Sequence, residues 1–85
     1  MDKDNVNAKF LTTSDKWMAA SLCASGIDIT RLDKTDRKRV KFYFRYTSDL
    51  EIKVGKYHRG ELKVSPQELR MALDQIETKI HTDIQ

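Results

Sequence analysis

The residues best suited to chemistry in this sequence are cations two apart with a tyrosine among them: Arg37, Arg39, Lys41, Tyr43 and Arg45. In an extended chain, side chains two apart project from the same side. A positive sheet surface that also carries an aromatic ring can hold a sugar–phosphate backbone and stack a base. The pattern is not that of an RNA-recognition motif, whose glycines are missing, and one tyrosine is a thin stacking platform. The plainer reading of the row is that a sheet packed on one face must present something soluble on the other. Lys and Arg there also discourage aggregation. A second cluster, Lys56-Tyr57-His58-Arg59-Gly60, reads first as the polar end of a surface helix. Its Lys56, His58 and Arg59 could also contact phosphate or carboxylate.

Enzymatic constellations are nearly absent. The three glycines, Gly26, Gly55 and Gly60, are scattered, so no loop cradles a phosphate. Zinc would need a cluster of Cys and His, whereas there is one Cys and two His, far apart. Cys23 sits among small and apolar residues, where a thiol behaves as a small hydrophobe. His81 follows Glu77 by four residues, a helix-surface contact that lacks a third member for acid–base or metal work. The expectation is a protein that is not an enzyme and uses no cofactor or metal.

The elements that position these residues must come from one small domain spanning residues 1–85, with residues 1–7 as a loose polar lead. At 85 residues with 39% hydrophobic and 34% charged side chains, a single core is just sufficient. One cysteine allows no internal disulfide, which suits a reducing cytoplasm. The longest uncharged stretch, Trp17 to Ile27, is far too short to span a membrane, and no signal region follows the N-terminus. The net charge of +3 is unevenly spread: Arg31 to Lys63 holds eleven Lys/Arg against five Asp/Glu, and the rest holds five against eight. The basic middle bears on partners rather than on fold.

Lys9 to Thr12 reads as a short strand, and Thr13-Ser14-Asp15 as helix-capping residues. From Asp15 to Ser25, Trp17, Ala20 and Ala24 share one helical face, with Met18 and Leu22 beside them, and Gly26 falls where a helix ends. The many Ala and Ser residues let this helix approach another surface closely. Ile27 to Thr30 alternates as a strand, and Asp33 to Asp36 is turn material. The clearest strand runs from Val40 to Tyr46, with Val40, Phe42, Phe44 and Tyr46 inward and Lys41, Tyr43 and Arg45 outward; Arg39 extends the outer row. These two strands should form a hairpin.

Thr47-Ser48-Asp49 is a second capping group. After it, Leu50, Ile52 and Val54 alternate like a strand, while Leu50, Val54 and Tyr57 fit a helix; the caps favour a short helix ended by Gly60. Glu61 to Val64 is an extended link or a short strand. Ser65-Pro66-Gln67-Glu68 is a full capping box. Leu69, Ala72, Leu73, Ile76, Ile80 and Ile84 then mark one side of a helix from Pro66 to about Asp83. Arg70 and Asp74 are spaced for an ion pair on its wet face. Phe42, Phe44, Leu73 and Ile76 should be buried together.

The tract Tyr57-His58-Arg59-Gly60-Glu61-Leu62-Lys63-Val64-Ser65-Pro66 and the helix after it resemble a group of short domains of unknown function from bacteria, phages and metagenomic contigs. Their pattern opens with a Phe-x-Thr-x-Asp-like start, here Phe10 to Asp15. An Ala-rich helix ending in Gly follows, here Ala19-Ala20 through Gly26, then an alternating aromatic strand and a Gly-Glu-Leu-x-Val-x-Pro-like tract. The resemblance agrees with a helix at Leu50 to Tyr57. It implies a small accessory protein, often of a mobile element, and carries no catalytic residue over.

The fold expected is α+β: a small, mostly antiparallel sheet of about three strands with three helices on one face, in the order β-α-β-β-α-α. The function expected is a non-catalytic, cytoplasmic binding protein of a phage or mobile element. Its partner would be nucleic acid or a nucleoprotein complex, engaged through Arg37, Arg39, Lys41, Tyr43 and Arg45 with help from Lys56, His58 and Arg59, and no membrane. The alternative is a protein-binding inhibitor of a host defence complex, anti-CRISPR-like, whose basic face matches an acidic surface on a host protein.

Overall fold

A computed structural model describes residues 9–36 and 38–82. The loose lead, Arg37, and the positions Asp83 and Ile84 assigned to the last helix lie outside the described residues. The element order is β1 (Phe10–Thr13), α1 (Lys16–Ala24), β2 (Arg31–Asp33), β3 (Lys41–Arg45), α2 (Ser48–His58) and α3 (Pro66–Thr82). The fold is therefore α+β in the expected order. β3 lies between β1 and β2 in one antiparallel sheet.

Each helix begins where a side chain replaces a missing helical partner. Asp15 Oδ1 accepts the N–H groups of Trp17 and Met18 at 3.0 and 3.2 Å. Thr47 Oγ1 accepts the Leu50 N–H at 3.0 Å. The capping box at α3 is reciprocal: Glu68 N–H donates to Ser65 Oγ and Ser65 N–H to Glu68 Oε1. Gly26 and Gly60 take φ values of +104° and +73° after α1 and α2, a conformation in which a Cβ is strained.

The core lies between the inner face of the sheet and the helices. Phe42 and Phe44 of β3 meet Met18, Ala19, Ala20 and Leu22 of α1, Leu50 of α2, and Ala72 and Ile76 of α3. Ala19 and Ala20 are wholly buried, so their small side chains bring the α1 backbone close to its neighbours. α1 contacts both other helices and β1.

Several expectations are corrected. The second strand is Arg31–Asp33, not Ile27 to Thr30; Ile27 and Ile29 still pack on the core, from outside the ladder. Trp17 is 59% exposed, because α1 packs through Met18, Ala19, Ala20 and Leu22 instead. Tyr46, one residue past β3, is 45% exposed rather than inward. Ala72 and Ile76 are the buried residues of α3, with Leu73 only half-buried against them. Glu61 to Val64 forms no strand, and Arg70 and Asp74 form no ion pair. The segment after Thr47 is a helix, since its cap and a buried Leu50 satisfy backbone and core together.

Candidate functional site

Strand pairing decides which residues share the outer face, because directly opposed residues in an antiparallel pair project to the same side. Tyr43 lies opposite Thr12 on β1 and Arg31 on β2; Arg45 lies opposite Phe10, and Lys41 opposite Asp33. The face therefore holds Phe10, Thr12, Arg31, Asp33, Lys41, Tyr43 and Arg45, with the basic strand in its middle.

Three observations define its chemistry. The Arg31 guanidinium lies 4.2 Å over the centroid of the Tyr43 ring, a cation–π contact. Phe10 meets the same ring edge-on, with centroids 6.3 Å apart. Lys41 and Arg45 are exposed and hold no ion-pair partner among the described residues. The single carboxylate of the face, Asp33, accepts both the Thr35 hydroxyl and the Thr35 N–H, at 2.6 and 2.9 Å. Those two bonds hold it below its ordinary carboxylate range, so it stays charged. Three cations thus stand against one anion, with one face of the only outward ring of β3 covered by a guanidinium.

The sequence-derived residues divide into two groups. Lys41, Tyr43 and Arg45 come together as expected. Arg39 belongs to the loop before β3 and not to its outer row; it is exposed and joins Asp33, Thr35, Asp36 and Lys41 around a hollow of about 220 Å³ beside the face. Arg37 lies outside the described residues. Lys56, His58 and Arg59 are exposed at the C-terminal end of α2, in the helical layer. There Tyr57 reaches the cap of α1 through Asp15 Oδ2 at 3.4 Å and meets the His58 ring edge-on. Arg59 is paired with Glu61 at 2.9 Å. The structure does not bring this second cluster to the sheet face.

Sequence reasoning missed Thr12 and Asp33 on this face and, more consequentially, the two residues that meet the Tyr43 ring, Arg31 and Phe10. Neither shares an element with Tyr43, so only the register of both edge strands reveals them. Cys23 is half-buried with its thiol pushed up by burial, the condition of an unreactive packing residue. Among the described residues no group of three or more His, Cys, Asp or Glu is placed to hold a metal ion, and no helix is long and apolar enough to cross a membrane.

Residues 8–82 match a family described as a domain of unknown function, DUF5659, and the chain belongs to that family. No curated protein and no solved structure matches it.

Proposed function

We propose that the protein is a non-catalytic binding module that engages the phosphate backbone of nucleic acid, alone or within a nucleoprotein complex, through the outer face of its sheet. The observation that carries this reading is the Arg31–Tyr43 stack at the centre of that face, flanked by Lys41 and Arg45. An arginine held over a ring by a cation–π contact makes no hydrogen bond to the ring atoms, so its N–H groups stay available to phosphate oxygens, and less of its freedom is lost on binding. Because Arg31 already covers one side of Tyr43, the mode is phosphate contact first and base stacking second. A phage or mobile-element setting rests on the resemblance of the sequence motifs alone.

Capture of the protein from a cell lysate tests the reading. Nucleic acid should co-purify with the wild type, disappear on nuclease treatment, and be absent from a variant carrying Arg31→Ala, Lys41→Ala and Arg45→Ala. A nuclease-resistant protein partner lost in the same variant would favour the inhibitor reading, in which the basic face docks on an acidic protein surface.

A further inference from the structure

A separate cleft opens on the inner side of β3. Residues 38–40, just before β3, form one wall, and the last turns of α3 with the start of α1 form the other. Lys34 ties the loop between β2 and β3 to α3, its ammonium donating to the Ile80 carbonyl at 3.0 Å. The half-open cleft has a volume of about 550 Å³, within the range of roughly 300–1,000 Å³ usual for small-molecule sites.

Its lining has two characters. Val40 and Ile80, half-buried, make an apolar floor over Phe42. The rim carries charges of both signs, and the internal pairing decides which remain available. Glu77 takes Lys16 and, at 3.5 Å, His81. Asp15 is occupied by the N–H groups of Trp17 and Met18 and by the Tyr57 hydroxyl. Lys38 and Arg39 have no side-chain partner among the described residues. Two uncommitted cations thus stand beside an apolar floor. An inorganic anion would use the cations and leave the floor unused; an apolar molecule would do the reverse.

We propose that this cleft binds a phosphomonoester carried on a body with one flat apolar face, the chemistry of a nucleoside monophosphate, whether free or at the end of a strand. Lys38 and Arg39 take the phosphate, Arg39 through its planar fork. The base lies against Val40 and Ile80. The inference is independent of the sheet-face reading. Arg39 also borders the hollow beside that face, which Lys38 does not line, so Lys38 is the residue to change.

The test titrates adenosine 5′-monophosphate, adenosine and inorganic phosphate into the labelled protein and follows backbone amide signals. The monophosphate should shift the signals of residues 38–42 and 77–81 saturably, and bind at least about tenfold more tightly than adenosine or phosphate. Lys38→Glu should weaken it by about tenfold or more with the amide spectrum otherwise preserved, while Lys41→Ala with Arg45→Ala leaves it unchanged. A 5′-phosphorylated oligonucleotide that gains over its 5′-hydroxyl form, with the gain lost in Lys38→Glu, assigns the ligand to a strand end. Without that gain, a bound monophosphate assigns it to the free nucleotide. Absence of saturable shifts at these residues, parity with adenosine, or indifference to Lys38→Glu would overturn the proposal.

Discussion

The guanidinium of Arg31 lies 4.2 Å above the ring of Tyr43, the residue directly opposite it across the β2–β3 ladder. The pair joins an edge strand to the central strand on the solvent side, where no core packing holds them. It also fixes a positive charge at the middle of the face.

This contact predicts a measurable coupling. Arg31→Ala and Tyr43→Ala should each lower stability, and the double variant should lose less than the two together. An exposed cation–π pair accounts for about 0.5–1 kcal/mol of such non-additivity. Denaturant melts of the four proteins check it, and strict additivity would mean that the stack is not held in solution.

The core predicts a larger effect. Phe44 is fully buried at the junction of β3 with the helices. Phe44→Ala should cost about 3–5 kcal/mol, a large share of the stability of a domain this small. Leu73→Ala, at a half-buried position, should cost less than Phe44→Ala. Thermal melts followed by circular dichroism give both values, and the reverse order would contradict the packing described.

What the sequence revealed follows the range of the forces involved. The alternation of β3 and the box at Ser65 and Glu68 are local, each satisfied within a few residues, and both were legible. The second strand was not. Ile27 to Thr30 alternates as a strand should, yet Thr30 steps out of the regular ladder: its N–H donates to the Tyr43 carbonyl at 2.7 Å while its hydroxyl accepts the Arg45 N–H. The ladder starts only at Arg31, and the parity of outward residues changes there. Trp17 misled for another reason. α1 packs through Ala19 and Ala20 together with Met18 and Leu22, and the burial of alanines is undervalued by a hydrophobicity pattern, so its largest residue reads as buried when it is exposed. The candidate face was half legible: β3 supplied its centre, but Arg31 and Phe10 join it only through long-range register.

Acid should reveal the tie between α1 and α3. Lys16 donates to Glu77 and, with His81 beside them, holds its carboxyl below the ordinary range. A carboxylate depressed in the folded state contributes stability above its unfolded pKa, near 4.3, and loses it as pH falls through the folded value. Both partners are well exposed, so the contribution at neutral pH is about 1 kcal/mol or less. Glu77→Gln should therefore melt below wild type at pH 7, with the gap closing below about pH 4. A gap independent of pH would show that the ion pair contributes nothing.

The salt dependence of nucleic-acid binding reads out directly whether the outer face of the sheet contacts phosphates. A fluorescent single-stranded oligonucleotide titrated with the protein at several salt concentrations gives the slope of log affinity against log salt. Each phosphate contact removed from a single strand should flatten that slope by about 0.7. Binding is expected at low salt, with the slope flattened by about 2 when Arg31, Lys41 and Arg45 are all changed to Ala, three such contacts being lost. The control Lys56→Ala with Arg59→Ala, in the helical layer, should leave the slope as it was. No affinity at low salt, or a slope that the triple variant leaves unchanged, would contradict phosphate contact through this face.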